Sequence, residues 1–318
     1  MTEIGCAGIM VEDIICGPRR ELPREGRLLA LDAMPVKVGG CAANVALDLA
    51  RQGLSVAVLG CLGRDDSART LQAGLERQGV DCGALVNADQ YPTSRTVILL
   101  VEGQDRRYLH VFGANRALTV AHIRRDWVAG LKLFYFGGLF AMPGIDAGEL
   151  GDLLKFSRAN GVTTVVDVVV PQAWSARDEL AALLPHIDYF LPNDDEAQLI
   201  TGLADPLDQL RFFQAAGAHT VIITQGKAGA IAGRDGRYWR CGTYPVNVID
   251  PSGSGDAFGA GIIAAIRRGG DLADQLRYGS ALGASATRMI GTTDGVFTAA
   301  EAAAFMAAHP LPVATGKL

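Results

Sequence analysis

The stretch Asp250-Pro251-Ser252-Gly253-Ser254-Gly255-Asp256-Ala257-Phe258-Gly259-Ala260-Gly261 follows an apolar, strand-like run over 244–249. It opens a segment, 257–268, in which Phe258, Ile262 and Ile266 recur at helical spacing. Arg267 and Arg268 suit the negative end of such a helix, and Gly269 its stop. Gly253, Ser254 and Gly255 therefore stand at a helix N-terminus, where unpaired amides and the helix dipole attract anions. The glycines permit the close backbone approach that cradling a phosphate requires. Asp256 falls in the first turn, beside those amides. An ionised carboxylate there can take a proton from a substrate hydroxyl while the amides hold a transferring phosphoryl group. The same pattern also suits a glycine-rich N-cap in which Asp256 only complements the dipole.

Outward from this loop, short apolar runs alternate with helical patterns. Strands are predicted over 4–10, 56–60, 131–136, 162–170, 189–191 and 220–224, most of them continuous rather than alternating, as in strands covered on both faces. Helices are predicted over 42–52, 67–78, 147–160 and 207–216, each followed by a glycine (Gly53, Gly79, Gly161, Gly217) where a left-handed cap is wanted. The pattern implies an α/β fold with a mostly parallel central sheet and helices on both faces. Two segments break the rhythm. One, 11–37, contains Pro18, Pro23, Gly26 and Pro35; the other, 91–112, reads as strands 96–101 and 107–112 around a polar turn. With no helix to cover it, that pair should lie apart as a small inserted β-sheet lid. The expected organisation is a core of residues 1–12, 38–90 and 113–318 with a lid of 13–37 and 91–112. A further hairpin is expected over 229–241, then helices from 272 to an alanine-rich one near 298–308.

Composition narrows the function. The 318 residues suit one large α/β domain with an appendage. A formal net charge of -5 without a Lys/Arg cluster argues against a nucleic-acid partner. Cysteines 6, 16, 41, 61, 82 and 241 form no C-x-x-C pair, so reduced thiols in a reducing compartment are expected. No signal-type segment opens the chain and no membrane-length apolar run occurs, which points to a soluble, cytoplasmic protein. The first strand enters Gly8-Ile9-Met10-Val11, not the G-x-G-x-x-G of a Rossmann dehydrogenase, and no P-loop motif is present.

The 250–256 stretch resembles the second signature of the ribokinase-like (PfkB) carbohydrate kinases, D-[TP]-x-G-A-G-D, with Ser254 where alanine is usual. Gly39-Gly40-Cys41-Ala42-Ala43-Asn44-Val45-Ala46 is similar to the first signature, G-G-x-x-x-N-x-A. Ribokinases proper have lysine at the position of Cys41, which counts against ribose. The resemblance extends in order over nearly the whole chain. Asp13 follows the first strand, where the family grips acceptor hydroxyls. Asn193-Asp194-Asp195-Glu196 resembles the N-x-x-E motif linked to magnesium and phosphate, although an Asn N-cap with acids in the first turn reads equally well. Thr224-Gln225-Gly226-Lys227-Ala228-Gly229 resembles the T-x-G-x-x-G nucleotide loop, and Gly113-Ala114-Asn115 resembles ribokinase sequences less specifically. The 167–171 region lacks the Asn and Arg of a D-x-N-x-R pattern, which weakens fructokinase and ketodeoxygluconate kinase assignments.

The resemblance implies an ATP- and Mg²⁺-dependent kinase acting on a sugar-like alcohol. Asp256 would be the general base and Gly253, Ser254 and Gly255 the anion hole. Asp13, Gly39, Gly40 and Asn44 would bind the acceptor, and Asn193, Thr224, Gly226 and Gly229 would bind ATP. Glu196 would act on Mg²⁺ through water, and Asp250 and Ser252, facing 287–291, on a monovalent cation such as K⁺. A nucleoside kinase of the same fold and a catalytically silent sugar- or nucleotide-binding sensor are the rival readings. A homodimer clasped through the lid is also implied.

Overall fold

The computed structural model describes residues 2–104, 106–171 and 175–318. β1 (Ile4–Gly8) runs into β2 (Val11–Arg19), and β3 (Val36–Gly39) leads into α1 (Cys41–Arg51). β4 (Val56–Leu59), β5 (Cys61–Leu62), α2 (Asp66–Arg77) and β6 (Val86–Asn87) follow. The hairpin of β7 (Arg95–Val101) and β8 (Arg107–Val111) precedes α3 (Arg125–Ala129) and β9 (Leu133–Leu139). The alternation continues through α4 (Ala147–Ala159), β10 (Thr163–Val168), α5 (Arg177–Leu183) and β11 (Tyr189–Leu191). Next come α6 (Asp194–Thr201), α7 (Pro206–Ala215) and β12 (Thr220–Thr224). The hairpin of β13 (Ala230–Arg234) and β14 (Arg237–Cys241) leads to α8 (Ser254–Arg267), α9 (Leu272–Ala286), α10 (Ala299–Ala308) and β15 (Val313–Lys317).

The central sheet has the order β15-β14-β13-β12-β11-β10-β9-β1-β4, parallel from β12 to β4 and antiparallel from β12 to β15. Its apolar runs are continuous because both faces are covered. Phe134, Phe136 and Phe190 pack on one face with Phe213; Leu133, Tyr135 and Ile222 pack on the other with Ile262. On this second face α8 lies against α9 so closely that a Cβ on Gly261 would come within 2.7 Å of the Gly279 Cα. Strand order reverses between β1 and β9, and a crevice opens outside the carboxyl ends of strands at such a switch point.

A separate four-stranded sheet, β3-β2-β7-β8, rises from that point. Its strands start at Val11 and end at Gly39, two residues beyond the expected 13–37 on each side. Its inner end is tied to α2: Ser67 Oγ donates to Glu12 Oε2 at 2.7 Å and accepts from Arg95 Nε at 2.9 Å, while Arg95 also pairs with Glu12 across the sheet at 2.7 Å. β3 is tied to the core by Lys37 and Asp294 at 2.8 Å. Two sequence expectations fail. The run over 244–249 forms no strand, and β15 arises where no strand was expected. Pro245 lacks a ladder donor, which works against a strand over 244–249, and the edge of β14 is paired by β15, with Arg237 opposite Lys317. No helix among the described residues is long and apolar enough to cross a membrane.

Candidate active site

A cavity of about 600 Å³ lies at the switch point, with Asp13, Thr96 and His110 of the small sheet on one side and Asp167 and Asp256 of the core on the other. A second cavity of about 460 Å³ is lined by Thr224, Gly226, Gly229, Val246, Ser280 and Ala284. Thr224, Pro251, Ser254, Gly255 and Phe258 line both, so the start of α8 is the wall between them.

That wall is built by backbone geometry. α8 begins at Ser254, and Gly253 is its N-cap with φ 75, a left-handed conformation that glycine adopts without strain. A Cβ there would stand 2.0 Å from the Thr292 carbonyl oxygen. No side chain caps this helix, and the backbone bond at its first residue is a long one, from Ser254 N to Pro251 O at 3.4 Å, which a ligand can replace. Asp256 follows in the first turn, its Oδ2 accepting from Asn44 Nδ2 at 2.7 Å. Asn44 Oδ1 in turn accepts from Thr292 Oγ1 at 3.0 Å, which fixes the amide's orientation. Burial pushes the Asp256 carboxyl above the usual aspartate range, and the hydrogen bonds from Asn44 and Cys41 pull it partly back. A carboxylate so placed is a stronger base than an exposed one.

The other expected acceptor residues divide into two groups. Asp13, on β2, reaches the cavity; burial pushes it up to about 7 against the Thr96 hydrogen bond, with the charges of Asp256 and Asp250 adding to the rise. Gly40 also lines the cavity, at φ 92 and with Ile9 O 2.5 Å from where a Cβ would be. Gly39 and Asn44 do not line it. Gly39 makes room for Asp13, whose Oδ2 would be 2.0 Å from a Cβ at that position. Asn44 is buried behind Asp256 and acts on it.

Asn193 and Glu196 form a capping box at the start of α6. Glu196 N donates to Asn193 Oδ1 at 2.8 Å and Asn193 N to Glu196 Oε2 at 2.9 Å. The structural reading of this motif therefore holds, yet both residues also line the first cavity. Glu196 is pushed up to about 7 by burial, with Asp195 and Asp194 adding to it, so a bound cation would stabilise its ionised form. Gly226 and Gly229 line the second cavity only, and Gln225 N donates to Gly229 O at 2.8 Å to close their loop. Asp250 is buried outside both cavities; its Oδ1 accepts from Ser252 N at 2.9 Å and its Oδ2 from Gly291 N at 3.0 Å. Ser252 Oγ is buried without a protein partner. A hard monovalent cation suits that orphaned oxygen, so the residues fit one.

The sequence reading assigned no role to Tyr135, Asp167 or Thr292. Tyr135 Oη donates to Asp167 Oδ2 at 2.9 Å, and Asp167 is pushed well up by burial and by the charges of Glu196 and Asp256. Asp167 is the acid of the incomplete D-x-N-x-R region, a motif-level signal set aside because its partners were missing. Asn115 bonds Met10, with Met10 N to Oδ1 at 3.1 Å and Nδ2 to Met10 O at 2.9 Å, and so fixes the turn from β1 into the small sheet.

Residues 1–299 match the family described as pfkB family carbohydrate kinase. A ribokinase from Haemophilus influenzae is 26% identical over 290 residues, covering 89% of this chain and 92% of the relative. A 2-dehydro-3-deoxygluconokinase from Bacillus subtilis is 28% identical over 298 residues, covering 86% and 87%. A ribokinase-II-type protein from E. coli, solved in complex with ATP and Mg²⁺, superposes with a TM-score of 0.83 at 20% identity, covering 97% of this chain and 100% of that one.

Proposed function

This chain belongs to the pfkB family of carbohydrate kinases, and from that premise we propose that it passes the γ-phosphoryl group of ATP to a hydroxyl of a sugar or sugar-like alcohol, with Asp256 as general base. The observation that carries this reading is the uncapped start of α8 on the wall shared by two cavities, with Asp256 in its first turn facing the first of them. One cavity takes the acceptor against Asp13 and Gly40, the other the nucleotide over Thr224, Gly226 and Gly229. The amides of Gly253, Ser254 and Gly255 face the charge that spreads over the phosphoryl oxygens in transfer. Asp256 takes the proton of the attacking hydroxyl, and Asn44 holds the carboxylate in the orientation to receive it.

Glu196 would hold magnesium through water, with Asn193 on the nucleotide beside it, and the ion would neutralise charge on the nucleotide phosphates. Asp250 and Ser252 would serve a potassium ion beside the anion hole. The small sheet, residues 13–37 and 91–112 with the strand ends beyond them, acts as a lid over the acceptor and keeps water from the phosphoryl group. Its outer strand leaves Tyr108, Leu109 and Val111 at 51%, 63% and 57% exposure, a face that a second copy would cover. A dimer by light scattering is expected, and a monomer at micromolar concentration would remove this part of the reading.

The test is ADP release from Mg-ATP, with potassium present, over pentoses, hexoses, sugar acids, sugar phosphates and nucleosides. Asp256→Asn should retain ATP binding and lose at least about a hundredfold in turnover. Near-normal turnover in that variant would end the assignment of the base.

A further inference from the structure

We propose that Cys41, Asp167 and Asp256 form a binding site for a thiophilic divalent cation, of which Zn²⁺ is the type, separate from the magnesium position and blocking the acceptor side. One ligand atom from each of the three lies within 4.8 Å of the other two. All three line the same cavity, so the site is open to entry from one side. Cys41 is the first residue of α1; burial and the charges of Asp256, Asp167 and Glu196 hold its thiol protonated without a metal, so a bound cation has to supply the charge that stabilises the thiolate. Its thiol stands within hydrogen-bond reach of both carboxyl groups, its one proton serving either Asp256 or Asp167.

Two features distinguish this from a chance group of acids. The ligand set is mixed, one sulfur and two oxygens, which a hard ion such as Mg²⁺ does not favour and zinc, cadmium or cobalt does. Each carboxylate also has its own orienting donor: Tyr135 Oη on Asp167 at 2.9 Å and Asn44 Nδ2 on Asp256 at 2.7 Å. Such outer partners fix ligand direction in metal sites. Zinc–sulfur and zinc–oxygen bonds of about 2.3 and 2.1 Å place tetrahedral ligands roughly 3.5 Å apart, within reach of small side-chain rotations here. On binding, the thiol proton and any proton held by the Asp167 or Asp256 carboxyl leave to water, and sulfur–metal and oxygen–metal bonds replace them. A fourth position faces the cavity, where water or an acceptor hydroxyl completes the shell. Glu196 adds negative charge beside Asp167, while Arg106 opposes it near Asp256. An ion held there occupies the base and excludes turnover.

The test is titration of the whole protein with Co²⁺ alone, without nucleotide or acceptor. The expected result is a thiolate-to-cobalt charge-transfer band in the near ultraviolet, removed by added Zn²⁺. Cys41→Ala and the closer Cys41→Ser should both lose the band, and Asp167→Asn should weaken cobalt binding at least about tenfold, with folding checked by circular dichroism. No band in the wild type at millimolar cobalt, or an undiminished band in a folded Cys41 variant, overturns the site. Because the assay uses neither ATP nor acceptor, its failure leaves the kinase reading standing, and a failure of turnover leaves the metal site standing.

Discussion

Asn44→Leu isolates what one hydrogen bond does to the base. Leucine keeps the approximate volume and removes the donor 2.7 Å from Asp256 Oδ2. A hydrogen bond to a charged group contributes about 1.5–3 kcal/mol. One pKa unit corresponds to about 1.4 kcal/mol, so the Asp256 pKa should rise by a further 1–2 units, approximately, above a value that burial has already raised. The sign follows from the form stabilised: Asn44 donates to the carboxylate, so its loss favours the protonated acid. The base is then available only at higher pH. Thr292 Oγ1 loses Asn44 Oδ1 but still has Val38 O at 3.2 Å, so the 292 segment should stay in place. The assay is the pH profile of kcat/KM for the acceptor at saturating Mg-ATP, which reports the essential base of the nucleotide-bound enzyme that meets the acceptor. The acid limb should move to higher pH by about 1–2 units. A limb that stays put or moves down, in a variant still folded by circular dichroism, refutes the reasoning.

Other perturbations test the remaining parts. Gly253→Ala places a Cβ 2.0 Å from Thr292 O at a left-handed φ, so the amides must shift; turnover should fall about a hundred- to a thousandfold, and near-normal kcat would count against the anion hole. Asp13 rises from 3.8 to about 7 on folding, so the folded state binds its proton more tightly and stability falls as pH increases between those values. Asp13→Asn should remove a slope worth at most about 4 kcal/mol, seen as a Tm gain that grows from about pH 4 to about pH 7 and then levels; a pH-independent difference would refute it. Glu196→Gln should raise the Mg²⁺ concentration for half-maximal activity, and an unchanged magnesium dependence would remove Glu196 from the metal's shell.

Much of the site was legible because its parts are local. The Gly253-Ser254-Gly255-Asp256 run needs only a helix start to place amides beside a carboxylate, and α8 does begin at Ser254. Likewise Asn193 and Glu196 are three residues apart and must meet in one helical turn. Asp167 was passed over because its meaning comes from neighbours distant in sequence: Tyr135 on the adjacent strand and Cys41 on α1. Asn44 was read as an acceptor contact, yet it lies behind Asp256, a matter of depth that no spacing encodes. β15 escaped because Val313–Lys317 has no amphipathic signal of its own; it becomes a strand by finding the open edge of β14.

The sequence by itself determined the alternation of elements, the glycine-bearing turns and the chemistry offered at each, since periodicity, capping and backbone permissiveness act within a few residues. Only the tertiary structure decided which groups share a cavity and how burial alters them. Asp13, Asp167, Glu196 and Asp256 are all raised because the fold brings them out of water, and the fall of electrostatic screening with burial depends on everything packed around a group.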